Sequence, residues 1–370
     1  MKRVVLFAYY NERGIVDEAT IYLLKSLRTI CEAVIVVVNG RIIDKDKKRL
    51  NEIASKIYER NNRGYDWGAY KDYILKYGKE LVDKYDELIL SNNSYWGPFF
   101  PWDESFALME KVDVDFWGIT RYPESRGDKI DEHIQGYFIV IRKNMLQSRD
   151  FIEFWRKIKY ANSYSEAVRY NEIYFTTYNK NIGYSYGALI DFRSGDKKRG
   201  YDSTYAEHPF KNIIDLKIPI LKKTEVNPFK NIEEIQEFFE WVEGNSMYPL
   251  EILLNSLKNM DESNLISPYG FLELENFCRT HEKIYLAGAG FLGHRIEKYL
   301  NSKSIEIKGF LVTEKKKDDE QNIIEWNNIA LEGNEGVIIC SRKYSEAILK
   351  IAKIKISEEN ILVPRNTRKI

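Results

Sequence analysis

Cysteine and histidine are scarce in this 370-residue chain. The three cysteines, Cys31, Cys278 and Cys340, stand at spacings that fit neither a zinc site nor a disulfide framework. The four histidines, His133, His208, His281 and His294, are scattered, which argues against a His/Cys metal centre. Net charge is absent too: 56 Lys and Arg balance 56 Asp and Glu, where a dedicated nucleic-acid binder carries a basic excess. No apolar run approaches the roughly 20 residues of a membrane-spanning helix. The run Val4 to Ala8 is too short for a signal peptide and reads as a buried strand, so a cytoplasmic protein is expected. What the chain has in abundance is aromatic residues, 14% of the total with 26 tyrosines, a composition suited to stacking on sugars or bases.

The β-branched runs Val4 to Ala8 and Ala33 to Val38 predict parallel strands covered on both faces. Glu18 to Arg28 between them has helical spacing, the charged stretch Asp44 to Glu59 reads as a surface helix, and Trp67 to Lys84 as another helix. Glu87 to Leu90 is a strand ending in a polar cluster. This βαβαβ order predicts a sheet that binds ligands at the carboxyl ends of its strands, where Asn39, Asn61 to Asp66 and Asn92 to Ser94 would gather. Further strands are expected at Phe116 to Thr120 and Tyr137 to Arg142, and helices at Arg149 to Tyr160, Tyr164 to Asn181 and within Phe229 to Leu257. A second α/β pattern starts near Lys283. The expected domains are residues 1–260, with a helical extension from about 229, then a linker over 261–280 and a smaller domain over 281–370.

The segments with most chemistry are Asn62-Arg-Gly-Tyr-Asp-Trp-Gly and Ser91-Asn-Asn-Ser-Tyr-Trp-Gly-Pro. Arg63 has the charge and reach for a diphosphate, Asp66 can accept from a base or ribose, and Gly64 and Gly68 allow backbone to pass close to a ligand. Asn92, Asn93 and Ser94 supply donors and acceptors at a strand end. Each piece alone also reads as an asparagine-rich turn; their common placement on one sheet edge favours a site.

These blocks, with Asp115-Phe-Trp-Gly-Ile-Thr, His133-Ile-Gln-Gly-Tyr-Phe and Asn171-Glu, resemble the rhamnan synthesis protein F family of glycosyltransferases over about residues 1–260. More distantly the chain resembles family 2 glycosyltransferases of GT-A fold, whose opening strand ends in Tyr-Asn, as Tyr10-Asn11 does here. The resemblance implies a GT-A-like α/β domain that transfers a sugar, often rhamnose, from a nucleotide donor such as dTDP-rhamnose to a cell-surface polysaccharide or lipid-linked saccharide. It implies donor contacts from Ala8, Tyr10, Asn11, Asn39, Asn62, Arg63, Asp66, Asn92, Asn93 and Ser94. Glu172 stands where the resemblance places an acidic residue facing the acceptor, and an inverting transferase needs such a base. Asp131 and Glu132 compete for that role. His133, Gln135, Trp117 and Thr120 are the candidate sugar contacts. Where relatives commonly keep an Asp, this chain has Asn93. Mg²⁺ or Mn²⁺ would then rest mainly on the donor diphosphate, with Asn93 a weak protein ligand, and metal-independent transfer using Arg63 or a nearby Lys stays equally open.

In the C-terminal domain, Gly288-Ala-Gly-Phe-Leu-Gly293 follows a strand and precedes a helix, the placement of a dinucleotide fingerprint. Gly288, Gly290, Gly293 and Glu314, which follows the next strand, form a possible second nucleotide site in a Rossmann-like fold. Two other functions remain open at this point: a nucleotide-dependent oxidoreductase, and a non-catalytic carbohydrate-binding or assembly protein. A lipid-linked acceptor would bring the protein to the inner membrane face, with Lys222-Lys223 and Lys197 to Arg199 as candidate contacts.

Overall fold

The computed structural model describes residues 1–122, 131–191, 209–225, 232–260, 268–315, 322–341 and 344–363. They fall into two compact units, Met1–Glu225 with Trp241–Pro249, and Val226–Glu240 with Leu250–Ile370.

The first unit opens with β1 (Arg3–Tyr9), α1 (Glu18–Ile30), β2 (Ala33–Asn39), α2 (Asp44–Asn51), β3 (Lys56–Arg60), α3 (Tyr65–Lys84) and β4 (Glu87–Asn92). β1 and β2 are apolar and almost wholly buried because helices cover both faces. The Asp17 side chain accepts from Thr20 N at 2.8 Å and so starts α1. β5 (Tyr95–Trp96), α4 (Trp102–Met109), β6 (Phe116–Tyr122), β7 (His133–Ile134) and β8 (Phe138–Arg142) follow. After α5 (Lys143–Leu146) and α6 (Arg149–Lys157), one helical run comprises α7 (Tyr164–Ala167), a π-helical turn at Val168–Glu172 and α8 (Ile173–Asn181). β9 (Tyr186–Ile190), α9 (Pro209–Leu216) and β10 (Leu221–Lys222) come next.

The main sheet has the order β3-β2-β1-β4-β8-β6-β7, with β9 alongside β6. Strands β3, β2, β1 and β4 are mutually parallel, whereas β8 runs antiparallel to both β4 and β6. This α/β order agrees with the GT-A-like expectation. β5 and β10 form a separate two-stranded ribbon with Leu221 opposite Trp96 and Lys222 opposite Tyr95. The core between sheet and helices is heavily aromatic: Trp67 stacks on Trp155 at 5.8 Å, with Tyr70, Phe154 and Phe175 around them.

The segment expected to be one helix over Asp44 to Glu59 is a helix only to Asn51 and then the edge strand β3. β3 is half-buried and three of its five residues are charged, so its sequence carries little of the β-branched signal of the central strands. β4 runs on to Asn92, two residues past its expected end at Leu90.

α10 (Ile232–Asn245) contributes to both units. The second unit continues with α11 (Leu250–Met260), α12 (Pro268–Arg279), β11 (Lys283–Ala287), α13 (Phe291–Ser302), β12 (Gly309–Val312), β13 (Ile323–Glu325), β14 (Glu335–Ile339), α14 (Ser345–Lys355) and β15 (Ile361–Leu362). α12 lies within the stretch read as linker; its Leu274 and Cys278 pack into the core of this unit. The sheet is wholly parallel in the order β13-β12-β11-β14-β15, the Rossmann-like arrangement expected.

Candidate functional site

The carboxyl ends of β2, β3 and β4 meet the start of α3. Gly64 caps α3 with φ of +74°, a conformation that glycine adopts without strain. A Cβ on Gly68 would lie 2.3 Å from the Arg63 carbonyl, so this turn closes only around glycine. Arg60, buried at the end of β3, organises the turn. Its guanidinium bonds Asp72 at 2.7 Å, the Arg63 carbonyl at 3.0 Å and the Asn39 side-chain oxygen. Asn39 in turn donates to the Tyr65 carbonyl at 3.2 Å. Asn39 therefore holds the loop in place.

Arg63 itself lies over the ring of Tyr160 at 4.0 Å, donates to the Tyr160 hydroxyl at 3.0 Å and stands 4.0 Å from Asp72. Its side chain is 60% exposed. Asp66 turns the other way, toward the end of β4. Asn92 donates to the Asp66 carboxylate at 2.7 Å, and the Asn92 oxygen accepts from Ser94 N at 3.0 Å and Ser94 Oγ at 2.6 Å. The second sequence segment is thus a brace for the carboxylate of the first.

Burial pushes the Asp66 carboxyl up to about 6; the charge of Glu172 adds to the rise and the Asn92 hydrogen bond opposes it. Glu172 closes the π-helical turn, a local widening common at functional positions. It packs on Gly136, where a Cβ would come within 3.0 Å of its carboxylate. His133 Nε2 lies 3.5 Å from the other Glu172 oxygen, with the two side chains 4% and 19% exposed. His133 Nδ1 faces the Asp131 carbonyl at 2.8 Å, and the ring stacks on Tyr122 at 5.3 Å. A carbonyl only accepts, so Nδ1 carries the proton and Nε2 faces Glu172. Asp131 is exposed, and its contact to His133 is through backbone. Glu132 accepts from Tyr186 at 2.7 Å and Arg121 at 3.2 Å.

Behind this group, Thr120 Oγ1 donates to Gln135 at 2.5 Å and shares a 2.5 Å hydrogen bond with the Tyr137 hydroxyl. Tyr137 packs on Tyr95 at 5.9 Å, and the Tyr95 hydroxyl bonds Ser91 Oγ at 2.6 Å. The β5–β10 ribbon covers this flank.

The remaining predicted residues divide. Tyr10 is half exposed, and its carbonyl accepts from the Asn93 side chain at 3.0 Å. Asn11 spends its side-chain oxygen on Arg13 N and Ile15 N, shaping a turn. Asn62 is exposed on the loop before Gly64. Ala8 and Trp117, offered as ligand contacts, are enclosed in the core, Trp117 against Phe106 and Phe138. Trp117 and Thr120 alternate to opposite faces of β6, which leaves Trp117 on the face away from Thr120. His208 and Lys197 to Arg199 lie outside the described residues. Among the described residues no group of three His, Cys, Asp or Glu side chains is arranged to hold a metal ion. Sequence reasoning missed Arg60, Asp72 and Tyr160, whose partnership depends on tertiary packing and leaves no mark on spacing.

In the second unit, Gly288 turns at φ of +119° directly after β11. A Cβ on Gly293 would lie 2.1 Å from the Gly288 carbonyl, so this glycine lets α13 approach the strand, whereas Gly290 faces open space. Those are the three roles glycines take in a dinucleotide loop. Glu314 is exposed just past the end of β12.

An uncharacterized protein of Sinorhizobium fredii is 27% identical over 186 residues, 50% of this chain and 48% of the relative; the chain thus spans about half the length of that relative. A cytidylyltransferase structure from Leptospira borgpetersenii is 13% identical, covers 67% of this chain and 100% of its own, and has a TM-score of 0.33. Glucosyl-3-phosphoglycerate synthase from Mycobacterium tuberculosis, solved with Mn²⁺, UDP and phosphoglyceric acid, is 12% identical over 39% of this chain and 56% of its own, at a TM-score of 0.25. The overlap is loose at these scores. The family model described as rhamnan synthesis protein F matches residues 34–339, most of both units, and the chain belongs to that family.

Proposed function

We propose that this chain is a glycosyltransferase that moves a sugar from a nucleotide-diphosphate donor to a saccharide acceptor. The observation that supports this most is the Asp66 carboxylate at the start of α3, bound by Asn92 at the carboxyl edge of the sheet and within electrostatic reach of Glu172 on the π-helical turn. Open α/β sheets bind their ligands at that edge. Family membership supports rhamnose as the sugar, and a cell-surface polysaccharide or lipid-linked saccharide as acceptor; dTDP-rhamnose is the donor to test first. An acceptor held in lipid would bring the protein to a membrane face, and the described residues contain no helix long and apolar enough to cross one.

The reaction is direct displacement with inversion. The acceptor hydroxyl gives its proton to Glu172 while its oxygen bonds to the anomeric carbon. The bond from that carbon to the diphosphate oxygen breaks, and nucleoside diphosphate departs. Glu172, 3.5 Å from His133 and 19% exposed, is favoured over the exposed Asp131. Mg²⁺ takes one or two carboxylates plus substrate phosphates, so Asp66 is the group to hold a cation that accompanies the donor, and the cation would neutralise the leaving diphosphate. Asn93 offers only a neutral amide. Donor turnover by Glu172→Gln tests the proposal. It should fall by about 10²–10⁴-fold with nucleoside diphosphate affinity kept, and unchanged turnover would remove Glu172 as base.

For the second unit we propose nucleotide binding at Gly288, Gly290, Gly293 and Glu314. The division of labour among the three glycines supports this reading.

A further inference from the structure

A diphosphate brought to the Asp66–Glu172 edge meets two carboxylates. It needs positive charge on the protein side. Arg63, 60% exposed beside Tyr160, is one such charge. The β5–β10 ribbon supplies another cation. Lys222 pairs with Tyr95 in antiparallel register, and cross-strand partners project from the same face. Its Nζ lies 5.4 Å from the ring centroid of Tyr137, whose hydroxyl bonds Thr120. Tyr95, the partner of Lys222, directly follows Ser94 in the Asn92–Ser94 brace.

The next residue holds the ribbon in place. Lys223 N donates to the Ser94 carbonyl at 2.9 Å. Its side chain leaves in the other direction, with Nζ 3.9 Å from Asp17 and 5.8 Å from the centre of the Trp96 ring. Burial lowers the Lys223 pKa and Asp17 opposes that fall, and the side chain is half-buried against Asp17 and Trp96. Two adjacent lysines therefore have separate tasks: Lys222 ends β10 beside Tyr137, and Lys223 opens a 3-10 turn (Lys223–Glu225) with its ammonium near Asp17.

We infer that Lys222 is the protein's own contact to the donor diphosphate, taking up the charge of the departing nucleoside diphosphate, and that Lys223 positions it. The inference rests on the sugar-nucleotide reading above and adds a residue to it. It holds with or without an accompanying metal, because an ammonium and a cation can share the oxygens of a diphosphate.

Calorimetric titration of the full chain with dTDP, UDP and GDP, and with thymidine, uridine and guanosine, tests it in Lys222→Met and Lys222→Arg. A charge-assisted contact predicts that Lys222→Met weakens the preferred diphosphate by about tenfold and leaves its nucleoside within about twofold. Lys222→Arg keeps most of the diphosphate affinity. Equal loss for diphosphate and nucleoside would make Lys222 a structural residue and overturn the inference, as would unchanged diphosphate affinity. If the unmodified protein binds none of the diphosphates, the sugar-nucleotide reading itself falls and takes the inference with it.

Discussion

Replacing Asp66 by asparagine should make the first unit more stable at neutral pH. The carboxyl is partly buried against Asn92 with Glu172 nearby, and its pKa is raised from 3.8 to about 6. Between those values the folded chain binds more protons than the unfolded chain, so stability falls as pH rises through that window and levels off above it. A rise of that size corresponds to about 3 kcal/mol; the partial exposure of Asp66 brings the expected effect to roughly 1–3 kcal/mol. The asparagine side chain removes the charge and retains an oxygen for Asn92. The assay is urea denaturation at several pH values from 4 to 8, followed by tryptophan fluorescence. Six of the seven tryptophans belong to the first unit, so the signal reports the unit in question. Asp66→Asn should match the unmodified protein near pH 4 and exceed it at pH 7.5, with the slope between largely gone. The competing expectation is that Asp66 simply serves the α3 dipole, where losing a carboxylate costs about 0.3–1 kcal/mol. A variant less stable than the parent at pH 7.5 would refute the burial argument.

Two further outcomes follow from packing. Lys71 is buried and donates to the carbonyls of Trp155, Arg156 and Ile158 at 2.9, 3.2 and 2.6 Å, capping the end of α6. Lys71→Met leaves those carbonyls unpaired and should cost roughly 2–4 kcal/mol in urea unfolding; a loss below about 0.5 kcal/mol would show that water replaces the ammonium. In the second unit, Gly293→Ala should destabilise, because its Cβ meets the Gly288 carbonyl at 2.1 Å, while Gly290→Ala meets nothing and should fold normally. If the loop binds nucleotide, Gly290→Ala should also weaken a fluorescence titration with NADH that the parent supports. Indistinguishable titration curves would set that reading aside.

The strands β1, β2, β4 and β8 were legible because both faces are buried and each carries a continuous apolar run. β3 was not, since an edge strand of Lys, Ile, Tyr, Glu and Arg has the composition of a surface helix. The two segments Asn62 to Gly68 and Ser91 to Pro98 meet through Asp66 and Asn92, as their common placement on one sheet edge suggested. The surroundings of Arg63 were not legible: it contacts Tyr160 and Asp72, residues 97 and 9 positions away that no spacing rule connects to it. Lys222 and Lys223 looked like one basic surface pair; only their tertiary contacts separate a residue beside the Tyr137 ring from a half-buried one beside Asp17.

The most direct test of the account is a crystal of the protein soaked with the nucleoside diphosphate it binds best. The account predicts density for the diphosphate at the carboxyl edge formed by Asp66, Asn92 and Ser94, with Lys222 on a phosphate oxygen and Glu172 facing the side from which the acceptor enters. Nucleotide bound only at Gly288 to Gly293, with the Asn92–Ser94 edge empty, would contradict it.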